Sequence, residues 1–294
     1  MKLKVWFLAT RPWSFIMTVV SSALGASFAF NEFNAFIYSL SLVGLIVAHA
    51  ATNMINDYFD VKTRVDKEGA PTSKYRPHPY LFGEISRSSF LSAIILLYIL
   101  VIAIAFYLYL IKNAIVILLL LFIGLLVSIL YTLPKLSLKY KALGEPFVAI
   151  IWGPFMVLGT YYVLTLKFNI TVLIASIPIG VLVALVLMAN NLRDIEYDTQ
   201  AGIKTIPIIL GRRRALNLFK ILLVSCYVIT GLVAYLGEFF AILSFISIYQ
   251  AYNIIKKFEK EIPINADPIV ANLTLYFGIL YIVGIIISNY LKVY

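Results

Sequence analysis

Two short segments of the sequence carry asparagine and aspartate side chains at the same spacing. Asn53 and Asp57 form the first pair, and Asn190 and Asp194 form the second. Because residues four apart lie on one face of a helix, each pair presents its oxygen atoms together. A further aspartate follows each pair: Asp60 and Asp198. Clustered carboxylate and amide oxygens suit Mg²⁺, which commonly binds one or two carboxylates together with substrate phosphates.

The two acidic segments belong to a longer repeat. Each segment ends an apolar helix, and each is followed by a Pro-x-x-x-Gly group, at 79–83 and at 207–211. Four predicted spans separate the copies, so the repeats (about 36–111 and 170–236) run parallel, whereas an inverted transporter repeat runs in the opposite sense. We expect both repeats to lie in one domain that covers residues 1–294.

The acidic clusters require positive charge close by. Carboxylates at this spacing repel one another, and a charge near hydrocarbon costs roughly 2.5–3.5 kcal/mol at a helix centre. Two clusters that face each other could hold two Mg²⁺ ions bridging one pyrophosphate, as in other two-metal sites. The alternative is that neighbouring lysines and arginines neutralise ordinary solvated carboxylates. The repetition of residue type, spacing and membrane side favours the ion site.

The elements that position these segments are membrane helices by composition. Of 294 residues, 62% are hydrophobic and 13% are charged, against about 25% charged in a soluble domain. Apolar runs of ~20 residues, long enough to cross a bilayer, recur along the chain. Backbone groups inside a bilayer must pair within helices. The predicted fold is therefore all-α, a polytopic helical bundle around a central cavity. The single cysteine, Cys226, excludes an intrachain disulfide.

Apolar runs and the polar breaks between them predict nine transmembrane helices. The predicted spans are 14–31, 36–56, 89–111, 114–133, 146–165, 170–191, 215–236, 238–255 and 268–291. We expect the first run to be a span rather than a cleaved signal peptide, because it leads straight into further spans.

The distribution of charge predicts the orientation. With a cytoplasmic N-terminus, only three of the 24 Lys and Arg residues fall on the far side: Lys112, Lys167 and Lys292. This asymmetry follows the positive-inside rule. Of the 14 acidic residues, all but Glu32 and Glu238 also fall on the cytoplasmic side. We therefore expect a multi-pass protein of the cell membrane with a cytoplasmic active site, in contact with lipid and not with nucleic acid.

The motifs resemble those of a known family. The stretches NDYFD, from the first segment, and LRDIEYDTQAGIKT, from the other, resemble the two aspartate-rich motifs of the UbiA superfamily of intramembrane prenyltransferases. YTLPKLSLKYKALGE resembles its third cytoplasmic signature, and TRPWSF resembles its N-terminal one. The likeness covers nearly the whole chain.

Within that superfamily the sequence is most similar to one branch. NNLRDIEYDTQAGIKT and GPFMVLGTYYV resemble the menaquinone branch, which prenylates 1,4-dihydroxy-2-naphthoate. The loop YRPHPYLFGEIS departs from the form found in ubiquinone and haem O members. The identity of the acceptor therefore rests on the remaining motifs.

The resemblance implies Mg²⁺-dependent transfer of a polyprenyl group from its diphosphate to an aromatic or similarly nucleophilic acceptor. It implies two Mg²⁺ ions that bridge the diphosphate, one on Asn53, Asp57 and Asp60 and the other on Asn190, Asp194 and Asp198. Candidate diphosphate contacts are Arg11, Arg64, Lys135, Lys139 and Lys204.

Two further residues receive candidate roles. Asp66 either activates the acceptor or organises its loop. Tyr131 is the candidate aromatic wall for an allylic cation, although it also suits an interfacial aromatic belt. His49 receives no catalytic role, because a lone histidine on an apolar helix is more often a hydrogen-bonded structural residue. His78, in the loop at 75–85, has no better support.

Several alternatives stay open at this point. The acceptor can instead be a geranylgeranylglyceryl phosphate or similar lipid phosphate, a benzoquinone precursor or a porphyrin. A different class is a cation-binding membrane transporter, but the parallel repeat and the acids at one membrane face count against it. A structural or chaperone-like membrane protein would leave the doubled motif unexplained.

Overall fold

The computed structural model describes residues 3–69, 76–134 and 136–293, so the predicted diphosphate contact Lys135 lies outside the described residues. The α-helices are α1 Leu3–Ala9, α2 Phe15–Phe28, α3 Ala35–Lys62, α4 Arg87–Lys112, α5 Val116–Thr132, α6 Gly144–Ile150, α7 Met156–Thr165, α8 Ile170–Arg193, α9 Ile195–Gln200, α10 Ile206–Leu210, α11 Arg212–Tyr235, α12 Ile248–Lys260 and α13 Ala266–Val293. Short 3₁₀ segments span Pro12–Ser14, Phe30–Glu32, Leu138–Tyr140 and Phe239–Ser247, and a π turn at Ile151–Phe155 joins α6 to α7.

Long apolar helices dominate the described part of the chain. Seven helical stretches are long and apolar enough to cross a membrane: Ala35–Lys62, Arg87–Lys112, Gly144–Thr165, Ile170–Arg193, Arg212–Tyr235, Phe239–Lys260 and Ala266–Lys292. Gly144–Thr165 joins α6, the π turn and α7, and Phe239–Lys260 joins a 3₁₀ segment and α12. Two shorter apolar helices, Pro12–Phe28 and Val116–Thr132, coincide with the first and fourth predicted spans. The all-α membrane class is therefore confirmed, while the count of nine spans and the orientation stay predictions.

Polar side chains begin several of these helices. Asn34 accepts a hydrogen bond from the backbone N–H of Ile37 at 3.0 Å at the start of α3. Asn169 accepts one from Thr171 at 2.7 Å at the start of α8. These caps satisfy orphan N–H groups of the first turn, which explains why short polar groups separate the apolar runs.

Glycines allow the central helices to touch backbone to backbone. A Cβ on Gly25 of α2 would lie 2.3 Å from the carbonyl oxygen of Val157 on α7. A Cβ on Gly180 of α8 would lie 2.2 Å from the carbonyl oxygen of Ala149 on α6. Small residues at membrane helix contacts permit this close approach. As a result α8 lies in the core, with side chains such as Leu182 fully buried, and its end carries the second acidic segment.

The end of the bundle away from the acidic segments gathers the charges assigned to the far side. Glu32 pairs with Lys167 at 2.8 Å. Glu238, which is buried, pairs with Lys292 at 2.6 Å. Charged residues from distant parts of the sequence thus neutralise one another at a single end of the bundle.

Candidate active site

Both acidic segments open into one cavity of about 900 Å³. Its polar end is lined by Asn53, Asp60 and Asp66 from the first segment and by Asn190, Asp194 and Asp198 from the second. Mostly apolar side chains line the rest, as far as Leu108 on α4 and Ile117 on α5. The structure therefore brings the two predicted clusters together at one end of an otherwise mostly apolar space.

Asp60 lines the cavity together with Asp66, the other carboxylate of the first segment in the lining. Lys139 Nζ lies 2.7 and 2.6 Å from the two oxygens of Asp60, and the Tyr140 hydroxyl also donates to Asp60. Burial and the charge of Asp60 raise the pKa of Tyr140 far above its ordinary value, so this hydroxyl remains a hydrogen-bond donor. The site therefore includes Tyr140, to which sequence reasoning gave no role.

Asn56 also belongs to the site and was missed from the sequence. Its Nδ2 donates to Asp60 Oδ2 at 3.0 Å, and its Oδ1 accepts from Lys139. A signal was present, because Asn56 and Asp60 have the same four-residue spacing as Asn190 and Asp194.

Asp57 lies in a separate, buried group of charges. It is 2% exposed and pairs with Arg11 and with Arg76 at 3.2 Å. Arg76 also pairs with Asp66 at 3.2 Å. Among the described residues that line the cavity, Arg11, Arg76 and Asp66 are present and Asp57 is not. Asp57 thus stands behind the cavity wall and holds the two arginines in it.

Asp57, Asp66 and His78 bring three candidate metal-binding atoms within 4.8 Å of one another. The backbone N–H of Leu81, however, donates to His78 Nδ1 at 3.2 Å. Neutral His78 therefore carries its proton on Nε2, which donates to Asp66 Oδ2 at 3.2 Å. An Nε2 that bears hydrogen has no lone pair for an ion, so we interpret this group as a buried hydrogen-bonded cluster.

The surroundings of Asp66 favour its charged form. Burial alone would raise the pKa of this carboxyl, but the hydrogen bond from His78 and the charges of Arg76 and Arg11 hold the pKa well below its usual range. Asp66 is therefore a permanent anion at the cavity wall.

Asn53 turns toward the start of α2 rather than toward Asp57. Its Nδ2 donates to the Thr10 carbonyl and to Ser14 Oγ, both at 3.0 Å. His49 lies one turn away and bonds through Nδ1 to Thr18 Oγ1 at 2.8 Å. These bonds fix the chain around Arg11, which has a left-handed backbone (φ 56°).

The second cluster is organised by an arginine within its own motif. Arg193 donates to both oxygens of Asp194, at 2.7 and 2.6 Å, and to Asn190 Oδ1 at 2.6 Å. Burial and the neighbouring Asp194 charge raise the pKa of Asp198 to about 7. The cluster thus contains one carboxyl that exchanges a proton near neutral pH.

The three motif-bearing segments that follow α3, α5 and α8 contact one another. The Tyr197 hydroxyl donates to the Val65 carbonyl at 3.0 Å, which joins the second segment to the first. The backbone N–H of Ala142 donates to the Lys204 carbonyl at 2.8 Å, and Lys204 N–H donates to the Tyr140 carbonyl at 3.3 Å. These bonds bring Lys139 and Tyr140 up to the acidic clusters.

The remaining predicted site residues divide into two groups. Arg11, Tyr131 and Lys139 line the cavity. Arg64 and Lys204 are exposed, and they are not among the described residues that line it. The roles given to all of these residues stay predictions.

The fold and the site define a class: a helical membrane protein with two acidic clusters at one end of an apolar cavity. The chain matches the UbiA prenyltransferase family over residues 14–288. It belongs to that family, and it is a prenyltransferase.

Two relatives are similar to this protein over nearly the whole chain. A Drosophila melanogaster protein, UbiA prenyltransferase domain-containing protein 1 homolog, is 31% identical over 97% of this chain and 80% of its own length. The 1,4-dihydroxy-2-naphthoate octaprenyltransferase of Bacillus subtilis is 27% identical over 97% of this chain and 93% of its own.

Solved structures share the fold. A UbiA homologue from Archaeoglobus fulgidus bound to GPP and Mg²⁺ has a TM-score of 0.66 at 19% identity, covering 95% of this chain and 99% of that one. An apo UbiA homologue from Aeropyrum pernix has a TM-score of 0.67 at 18% identity, covering 94% and 98%. The arrangement of helices is therefore that of the family.

Proposed function

We propose that this prenyltransferase transfers a polyprenyl group from its diphosphate to a dihydroxynaphthoate-like aromatic acceptor in quinone biosynthesis, with Mg²⁺ as cofactor. The observation that carries the proposal is the two-ended cavity: acidic and basic side chains at one end, and apolar walls beyond. Such a space matches a donor with a charged diphosphate and an apolar tail. The name of the Bacillus subtilis relative supports the acceptor class.

The oxygen-rich end of the cavity fits Mg²⁺. Asp60, Asp194 and Asp198 offer carboxylate oxygens there, and Asn53 and Asn190 belong to the same lining. Hard oxygen donors are the ligands that Mg²⁺ prefers, and two ions, one on each cluster, would suit a diphosphate bridge. Bound Mg²⁺ would neutralise the negative charge that grows on the leaving diphosphate.

The chain's own residues orient the donor and keep the reaction dry. Arg11 and Lys139 line the polar end as cations for the diphosphate. The C–O bond breaks with its electron pair on the diphosphate, a ring carbon of the acceptor bonds to the allylic carbon, and that ring carbon loses a proton or, from a carboxylated acceptor, CO₂. Tyr131 and Trp152 contribute aromatic walls, which stabilise nearby cations, and the apolar lining excludes water.

The acceptor is tested by a product screen with one fixed donor. Purified protein in lipid nanodiscs receives geranylgeranyl diphosphate, Mg²⁺ and one acceptor at a time: 1,4-dihydroxy-2-naphthoate, a hydroxybenzoate, a porphyrin, or geranylgeranylglyceryl phosphate. Pyrophosphate release and product mass are measured. We expect turnover with the naphthoate and a product that lacks its carboxylate. Turnover with the lipid phosphate alone would replace the proposed acceptor.

We further propose nine spans with the N-terminus and the active site in the cytoplasm. Cysteine labelling tests this topology with little background, because the single native cysteine, Cys226, is fully buried. An impermeant thiol reagent applied to intact cells should label Lys167→Cys and spare Glu84→Cys, both of which are exposed positions. The reverse pattern would invert the topology.

A further inference from the structure

Arg193 uses every hydrogen of its guanidinium group. A guanidinium has five N–H donors in a fixed planar fork. Nε and Nη2 donate to Asp194 at 2.7 and 2.6 Å, and Nη2 donates also to Asn190 at 2.6 Å. Nη1 donates to Asp267 Oδ1 at 2.6 Å and to the Ile264 carbonyl at 3.0 Å. The fork therefore has two sides, one on the second acidic cluster and one on the start of α13.

Asp267 lies outside every motif identified in the sequence. It stands in the first turn of α13, 74 residues along the chain from Arg193, and it lines the cavity. Its side chain is 23% exposed, whereas the side chains of Arg193 and Asp194 are 7% and 5% exposed. A carboxylate from the last helix is thus part of the wall beside the second cluster.

Arg193 and a divalent cation would compete for the same oxygens. Both oxygens of Asp194 and Oδ1 of Asn190 accept from Nε and Nη2, and these residues are the ones proposed to hold Mg²⁺. When Nε and Nη2 release them, the two Nη1 bonds can keep the guanidinium at Asp267. Asp267 can therefore keep its ion pair with Arg193 while an ion binds Asp194, and it adds negative charge beside that ion.

We propose that Asp267 is a positioning residue that draws Arg193 away from Asp194 and thereby sets the affinity of the second cluster for a divalent cation. This inference rests on the proposed function of the cluster. It predicts opposite signs for two substitutions. Removing the charge of Asp267 strengthens the pairing of Arg193 with Asp194 and weakens ion binding, whereas removing Arg193 frees Asp194 and strengthens ion binding.

The test measures Mn²⁺, as a probe for Mg²⁺, by the electron paramagnetic resonance of the free ion. Full-length protein in detergent is titrated with and without geranyl thiodiphosphate, a donor analogue that resists ionisation. We expect Asp267→Asn to raise the Mn²⁺ dissociation constant about tenfold, as for other outer partners of metal ligands. The asparagine retains an oxygen that accepts from Nη1, so the fold is kept. Arg193→Gln should lower the same constant.

A variant with unchanged charge covers the case in which Arg193→Gln does not fold. Arg193→Lys keeps the charge, but a compact ammonium cannot span Asp194 and Asp267 as the fork does, so it should also bind Mn²⁺ more tightly. The matched control is Lys220→Gln, which removes an ion pair to Glu259 of 2.5 Å between α11 and α12. Its Mn²⁺ constant should equal that of the unmodified protein.

The outcomes separate this inference from the proposed function. If the unmodified protein binds Mn²⁺ and releases pyrophosphate, but Asp267→Asn leaves the constant unchanged or all Arg193 variants weaken binding, the positioning role is wrong and the function stands. If the unmodified protein binds no Mn²⁺ even with the donor analogue, both are wrong.

Discussion

The two acidic segments have the same spacing but different electrostatic surroundings. In the first segment Arg11, Arg76 and Lys139 pair with three aspartates, Asp57, Asp60 and Asp66. In the second, Arg193 is shared by Asp194 and Asp267, and Asp198 stands close by. The first segment therefore has as many of these cations as aspartates, and the second has acids in excess.

The pKa shifts report the same difference. The pKa of Asp66 beside the first cluster is held well below its usual range by His78 and the arginines despite burial, whereas burial and Asp194 raise the pKa of Asp198 to about 7. A repeated motif thus specifies where oxygens lie but not how strongly they attract a cation. The second cluster has the greater need for an added ion.

The largest expected effect is on the rate of pyrophosphate release, when either cluster loses one carboxylate charge. Asp60→Asn and Asp194→Asn should each lower the rate of pyrophosphate release by about 10²–10³-fold, because each removes a charge that organises the stabilisation of the leaving group. The measurement is a steady-state assay at saturating Mg²⁺ with equal amounts of folded protein.

The matched control for these variants is Glu196→Gln. Glu196 lies in α9 between the two aspartates of the second motif, but it is exposed and pairs with Arg212. Its rate should stay within about twofold of the unmodified protein, since exposed ion pairs contribute little. A loss equal to that of Asp194→Asn would mean that general charge, and not the cluster, is responsible.

A second prediction separates the two halves of the first segment. Asp57→Asn should lower the free energy of unfolding by about 3 kcal/mol, because it removes the charge that pairs with Arg11 and leaves Arg76 with Asp66 alone of its two aspartates. Asp60→Asn should cost less, since Asp60 faces the cavity. Thermal unfolding in detergent compares the two variants. Equal melting temperatures would contradict the division of the segment into a buried half and a cavity half.

A third prediction uses the raised pKa of Asp198. Between its ordinary value of about 3.9 and about 7, the folded protein binds more protons at this carboxyl than the unfolded chain, so stability falls as pH rises through that window. Asp198→Asn removes the effect. With a chelator present, the variant should melt about 8 °C above the unmodified protein at pH 8 and level with it at pH 4.

The outcome that would contradict the third prediction is a variant less stable than the unmodified protein at pH 8. That result would show that the Asp198 charge is already compensated in the folded protein. The same pH series on Glu196→Gln gives the control, because that side chain is exposed.

The smallest effects are expected at Lys204 and Arg64. Both side chains are exposed and stand outside the described lining of the cavity. Lys204→Gln and Arg64→Gln should change the Michaelis constant for the donor by less than about threefold, as expected of solvated charges. A tenfold rise at either position would restore it as a diphosphate contact.

The helical membrane class and the two motif positions were predictable because they depend on local patterns. Apolar runs of spanning length fix helices wherever they occur, and the four-residue spacing fixes which side chains share a face. The same rule could have identified Asn56, which was missed, because its spacing to Asp60 repeats that of Asn190 to Asp194.

Other parts of the site were not predictable because they depend on contacts between distant segments. Spacing alone did not show that Asn53 turns toward Thr10 and Ser14, or that Asp57 faces away from the cavity. The contact of Arg193 with Asp267 crosses 74 residues, and no local pattern marks it. The neighbours among which each side chain is buried decide these orientations, and a single sequence does not show which residues become neighbours.

The backbone link between the loops at 140–142 and 204 has an evolutionary consequence. Main-chain groups of Tyr140, Ala142 and Lys204 make its two hydrogen bonds, and every residue type except proline supplies the same groups. Side chains at positions 141 and 204 can therefore diverge among descendants while the loops keep their register. A lineage can therefore change these two side chains without disturbing the main-chain link that holds Lys139 and Tyr140 near the acidic clusters.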